Sequence, residues 1–250
     1  MIFAMAASSA QAQSDATRRV APTGKLRVNL IGSNAILIAK GADGRYQGIA
    51  VLVGERLAKQ LGVPLAMEPS ASPAAYAESL SKDTWDIVLS GRDPLRAEHV
   101  VFSEPYLEIE SLFLARPGVD VANAEQVDRA GLRIVVAKGG SQDNYLTRTL
   151  KHATLIRAAD ASAAAKEELP SGRADVFGGT GPGAYAMAAG YPGAKILAGR
   201  FSVVEQSIGL PRKHADALPV INAFVADLKR SGVVAAELQR MGMQGVRAAP

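Results

Sequence analysis

Apolar positions alternate between short β-branched runs and stretches in which they recur every three or four residues, the signature of strands separated by amphipathic helices. Leu26 to Ile31 predicts a strand that stops at Gly32-Ser33. Lys40 to Gly48 (KGADGRYQG) predicts a hairpin-like turn, with Asp43-Gly44 supplying the turn geometry. From Ile49 to Leu61 the residues Val51, Leu52, Leu57 and Leu61 recur near helical spacing, and Gly62 is a natural stop. Val63 to Met67 reads as the next strand. Strand, helix, strand is the order of a parallel sheet with covering helices. A short helix over Pro73 to Leu80, a strand at Trp85 to Leu89, a turn or short helix at Pro94 to His99 and an extended segment at Ile109 to Leu114 continue it.

A second unit with the same order opens at Leu132 to Ala137 and enters Lys138-Gly139-Gly140-Ser141. Helix is expected from Gln142 to Leu150 and from Ala161 to Leu169, with an extended piece at Thr154 to Arg157 and a strand at Ala174 to Phe177. Gly178 to Gly183 (GGTGPG) reads as a hinge-side or cleft loop before a helix over 184–189. An extended stretch at Val203 to Leu210 leads to a helical region over 215–241, split by Gly232, and 245–250 reads as tail. Two α/β units with one helical return predict a two-lobed α/β fold, each lobe a mostly parallel sheet flanked by helices, joined by two crossing segments. The expected division is 24–116 plus 201–250 for lobe one and 117–200 for lobe two. In such a fold the strand ends and the following helix N-termini face the crevice, and their unpaired N–H groups attract anions.

The 250 residues are 48% apolar and 21% charged, which places the chain among globular proteins rather than disordered ones. With 5% aromatic residues, the core must rely on Ala, Val, Leu and Ile. The net charge of +4 is spread along the chain without a basic stripe, so nucleic acid is not an expected partner. Absence of cysteine excludes disulfides and thiolate chemistry, and His99, His152 and His214 form no compact ligand spacing, so neither a metal nor a cofactor is expected. Residues 1–12 (MIFAMAASSAQA) form a short apolar run ending in Ala10-Gln11-Ala12, a small-x-small cleavage site without a basic leader. Residues 1–23 are therefore expected to be either a signal-peptide remnant, which would mean export, or a disordered tail, running into a mobile lead-in.

Four stretches then converge: Gly24-Lys25-Leu26-Arg27-Val28; Asp43-Gly44-Arg45-Tyr46-Gln47-Gly48-Ile49; Trp85-Asp86-Ile87 with Arg96 and Phe102-Ser103-Glu104-Pro105-Tyr106; and Ser171-Gly172-Arg173-Ala174-Asp175-Val176. In this order, over about residues 24 to 240, the chain resembles extracellular solute-binding protein family 3, the type II periplasmic binding proteins that deliver polar amino acids and related compounds to ABC importers. The resemblance implies a monomeric binding protein, not an enzyme, that closes on a small anionic or zwitterionic molecule and presents it to a membrane permease. It implies that Arg96 grips the ligand's carboxylate, a planar two-pronged match. The bland reading pairs Arg96 with Glu98 or Glu104. Lys138-Gly139-Gly140-Ser141-Gln142 resembles the anion loop of the second lobe, so Ser141 and Gln142 are expected ligand contacts, with Lys138 as a rim cation and Ser141 as an N-cap in the alternative.

The departures from the family bear on the ligand. Where amino-acid binders place a carboxylate for the α-ammonium, Phe177-Gly178-Gly179-Thr180 offers Thr180. The first crevice loop, Ile31 to Ile36, supplies Asn34 but no aromatic wall and no acid. Gly91-Arg92-Asp93 replaces the usual Thr-x-Thr; Gly91 offers backbone groups, and Arg92 is either a second cation or a solvent-facing neighbour of Asp93. An anion grip without an ammonium site points to an organic acid or another anion without a free amine. Two other classes stay open: a periplasmic accessory or sensor protein of the same shape, and a dehydratase-like cleft enzyme.

Overall fold

The computed structural model describes residue 15 and residues 17–250. The expected cleavage site and most of the lead-in lie outside the described residues. The part of the lead-in that is described packs onto the first lobe: residues 17–20 are helical, Val20 and Ala21 are buried, and Thr17 Oγ1 donates to the Leu61 carbonyl at 2.8 Å. A polar, alanine-rich composition suggested mobility there, but two apolar side chains suffice to dock the turn.

The first lobe runs through β1 (Leu26–Ile31), a hairpin of β2 (Ala39–Lys40) and β3 (Tyr46–Gln47), α1 (Ile49–Leu61), β4 (Leu65–Ser70), α2 (Pro73–Ser79) and β5 (Ile87–Gly91). The chain crosses on β6 (Val100–Ala115) into the second lobe, built from β7 (Arg133–Ala137), α3 (Ser141–Thr149), β8 (Thr154–Ala158), α4 (Ala161–Glu168), β9 (Val176–Thr180), α5 (Gly181–Gly190) and β10 (Lys195–Ile196). It returns on β11 (Ser202–Pro211) to α6 (Leu218–Arg230), α7 (Val233–Met241) and β12 (Val246–Ala248). In each lobe one strand lies between two parallel neighbours, β1 between β4 and β5, and β7 between β8 and β9. The crossing strands β6 and β11 pair antiparallel, β11 against β5 and β6 against β9, so one sheet runs through both lobes.

The apolar core divides with the lobes. The first-lobe cluster packs β1 against α1 and α6 and reaches Ile109 on β6 and Val204 on β11. The second-lobe clusters begin at Leu112 and reach Leu197, so the change of core falls within β6. Phe102 to Tyr106 and the extended segment after it are one continuous strand, because both flanks of β6 find partners along its length.

Two family-like aspartates serve the frame rather than the cleft. Buried Asp86 accepts the Arg27 backbone N–H at 2.8 Å and its Nη2 at 2.7 Å, tying β1 to the entry of β5. Asp175 does the same in the second lobe, accepting from the Arg133 N–H at 3.1 Å, Arg133 Nε at 2.9 Å and Arg116 Nη2 at 2.9 Å.

Two expectations about irregular segments are corrected. GGTGPG is not a loop: Gly178 to Thr180 complete β9 and Gly181 opens α5 directly. Thr180 accepts from the Gly183 N–H at 3.3 Å as the helix cap, and Pro182 occupies the first turn, where a missing N–H costs nothing. The tail is not free either, since β12 pairs antiparallel with β6 and Arg247 Nε bonds Glu108 at 2.7 Å.

Candidate functional site

A cavity of about 360 Å³ lies between the lobes. It sits at the C-terminal ends of β1, β5, β7 and β9, reached by Ile31, Gly91, Ala137 and Thr180, the position the topology predicts for a ligand. From the second lobe, the N-termini of α3, α4 and α5 all open onto it. Each carries unspent N–H groups and the positive end of its dipole, so that wall favours negative charge.

Arg96, on the turn after β5, is the cation that faces this wall. It is 4% exposed. Its Nη1 donates to Ser90 Oγ and to the Gly91 carbonyl, both at 3.0 Å, and its guanidinium lies 5.2 Å from the Tyr76 ring centre. Nη2 is buried without a hydrogen-bond partner, and no carboxylate pairs with Arg96 among the described residues. The bland pairing with Glu98 or Glu104 is not what the fold provides: both are exposed, and neither lines the cavity. A guanidinium held from one side, with Nη2 left unpartnered, has the planar donor geometry that matches a carboxylate.

Gly91 lets the two lobes meet above this edge. A Cβ at that position would stand 2.4 Å from Val204 Cγ1, 3.1 Å from Ser141 Oγ and 3.3 Å from Gln206 Nε2, so any side chain would fill the point where these groups converge. Ser141 lies in the first turn of α3, but Gly140 is the capping residue and no side chain caps the helix, which leaves the Ser141 hydroxyl unspent. Gln142 lines the cavity and donates from Nε2 to Ser111 Oγ on β6 at 3.0 Å. Asn34 lines the rim, its Oδ1 accepting from the Ile36 N–H at 3.2 Å. Thr180 lines it too, with its oxygen engaged as the cap of α5.

The structure thus brings together Arg96, Asn34, Gly91, Ser141, Gln142 and Thr180. Lys138 is exposed and stands outside the lining. Arg92 is no second cation in the cleft, since its Nη1 pairs with Glu205 at 3.2 Å on the outside. Its neighbour Asp93 instead reaches across the lobes, 3.6 Å from Arg148 Nη1 on α3.

Two lining residues were not singled out from sequence. Phe177 on β9 supplies the aromatic wall that the first crevice loop lacks, and its ring lies over Gly179, where a Cβ would be 2.1 Å from Cζ. Gln206 on β11 is 4% exposed, and its Oε1 is buried without a partner. The cavity also has one carboxylate, Asp160, which is exposed at the rim and caps α4 by accepting from the Ala163 N–H at 3.0 Å.

Among curated relatives, the chain is 28% identical to a cyclohexadienyl dehydratase of Pseudomonas aeruginosa over 177 residues, 69% of this chain and 65% of that protein. It is 24% identical to the L-cystine-binding protein TcyJ of Escherichia coli over 221 residues, 87% of this chain and 82% of that one. A solved L-cysteine solute receptor of Neisseria gonorrhoeae superposes with a TM-score of 0.75 at 21% identity, covering 91% of this chain and 92% of that one, which shows the shared two-lobed fold. The model of the bacterial extracellular solute-binding proteins, family 3, matches residues 26–242. With its two lobes, crossing strands and interlobe cavity, the chain belongs to that family.

Proposed function

We propose that this protein captures a small carboxylate-bearing molecule between its lobes and binds it without reacting it. The observation that carries the reading is the buried Arg96 with its unpartnered Nη2 beside the cavity. Leaving a buried charge uncompensated costs several kcal/mol, so the bound anion is what completes the site. The N-termini facing Arg96 supply the opposite grip, and a ligand that touches both lobes favours the closed state by as much as it binds that state better. Relatives named for cystine and cysteine, both carboxylate-bearing, fit the same class.

The dehydratase relative raises a second, catalytic reading. Dehydration in a cleft needs an acid within reach of the leaving group. Asp93, Glu98 and Glu104 do not line the cavity, and Asp160 is exposed and engaged as a helix cap. These placements favour binding over turnover. In the family's setting we read the protein as exported to the periplasm, monomeric, and recognised in its closed form by the permease of an ABC importer; a periplasmic accessory or sensor role uses the same closure with a different partner.

The test is a thermal-shift and calorimetric screen of small carboxylates, followed by Arg96→Ala. Loss of the arginine is expected to weaken carboxylate binding by about 2–5 kcal/mol while the ligand-free protein stays folded. Unchanged affinity in that variant would remove Arg96 from the site and the proposal with it. Incubation with a cyclohexadienol acid, followed by absorbance of an aromatic product, is expected to show no turnover.

A further inference from the structure

Gln206 is a polar side chain that the fold has buried and not used. It is 4% exposed, lines the cavity, and its Oε1 is buried without a hydrogen-bond partner among the described residues. Burying an amide with no partner is unfavourable by roughly 1–3 kcal/mol. The pleat of β11 holds it there: Val204 and Gln206, two residues apart, both line the cavity, and the register against β6 shifts only after Gln206.

Its neighbours define what it faces. Gln206 pairs in register with Gly91, whose carbonyl is held by Arg96 Nη1, and its Nε2 stands 3.3 Å from the point above Gly91 that Ser141 Oγ approaches to 3.1 Å. The amide therefore borders the place where the carboxylate's nearest carbon substituent would sit. A carboxamide is neutral, with one acceptor and a donor pair, and suits a neutral hydroxyl; an ammonium there would lack a counter-charge, because among the described residues the one carboxylate lining the cavity, Asp160, is an exposed rim residue.

We propose that Gln206 is a specificity-determining residue that selects carboxylic acids bearing a neutral 2-hydroxyl over their amino and unsubstituted counterparts. This rests on the carboxylate reading of Arg96 and refines it to a ligand class, 2-hydroxy acids with an apolar side group. Ile36, Ile109, Phe177 and Val204 give that side group an apolar wall.

The experiment is calorimetric titration with three matched sets, lactate, propionate and alanine; 2-hydroxyisocaproate, isocaproate and leucine; 3-phenyllactate, 3-phenylpropionate and phenylalanine. The wild-type protein is expected to bind the hydroxy acid of at least one set about tenfold tighter than its unsubstituted acid. Gln206→Leu is expected to bring the hydroxy acid down to the unsubstituted acid's affinity. Gln206→Glu is expected to reverse the preference toward the amino acid, a result no purely structural role produces. Equal binding of hydroxy and unsubstituted acids, an equal loss of both in Gln206→Leu, or preference of the wild type for the amino acid overturns the selectivity of Gln206 while leaving Arg96 as the carboxylate site. Binding that survives Arg96→Ala, or no binding by any acid in the three sets, overturns both together.

Discussion

The contact between Phe177 and Gly179 links the frame to the cavity, and Gly179→Ala measures it. The added Cβ would lie 2.1 Å from Phe177 Cζ and 2.4 Å from Cε1, against about 3.5–4.0 Å for relaxed carbon contacts. The ring must retreat by roughly 1.5 Å. The ring packs in the second-lobe cluster with Leu112, Ala165 and Ala184 and also lines the cavity, so its displacement disturbs both. Overpacking of this kind costs about 1–3 kcal/mol. Urea denaturation of the ligand-free protein should show that loss, and titration with a carboxylate found in the screen should show weaker binding. Phe177→Leu removes the colliding atoms, so the double variant should recover at least about 0.5 kcal/mol relative to the sum of the single changes. Strict additivity of the two substitutions would refute the steric account.

Asp175 is expected to tie second-lobe stability to acid pH. Burial pushes its carboxyl up, but the bonds from Arg133 and Arg116 outweigh burial and hold it below the ordinary value. A depressed folded-state value contributes stability that is fully present above the unfolded value of about 3.9 and is lost as pH falls through the folded one. Asp175→Asn should lower the urea midpoint at pH 7 by the equivalent of about 1–2 kcal/mol, discounted for the partly exposed arginines, and should flatten the decline below pH 4; an unchanged acid profile refutes the assignment. The Asp93–Arg148 contact across the lobes, 3.6 Å long with a 44% exposed arginine, is worth about 0.2–1 kcal/mol to closure. Arg148→Met should therefore weaken carboxylate affinity by about fivefold at most and reduce its salt dependence, measured by titration at two ionic strengths, and a salt response identical to wild type rules the pair out.

Much of the scaffold was legible because local and global signals agree. The β-branched runs at Leu26 to Ile31 and Leu132 to Ala137, each followed by amphipathic helix, name parallel units before any contact is known. What failed to show was set by partners distant in sequence. Val246 to Ala248 has too few residues to announce a strand, and only pairing with Leu107 to Ile109 makes it one. GGTGPG has the composition of a loop, yet Gly178 sits so close to Ile134, Val136 and Phe113 that a Cβ there would stand only 3.2–3.3 Å from each, and so it behaves as a packed strand residue.

The same division runs through the site. Arg96 was visible because its charge sits beside a motif with fixed spacing, whereas Gln206 lies in Val203-Val204-Glu205-Gln206-Ser207, where consecutive polar residues take opposite faces and nothing local says which face is enclosed. The pleat decides between them: Glu205 turns outward to Arg92, while Gln206 shares the face of Val204 and is enclosed. From one strand, then, the fold sends a charge to the surface and a neutral amide to the cavity. On the proposed reading, one buried cation, three helix N-termini and a neutral amide together would favour an anion with a hydrogen-bonding but uncharged substituent, and this balance, more than any single residue, would separate the expected ligand from a zwitterion.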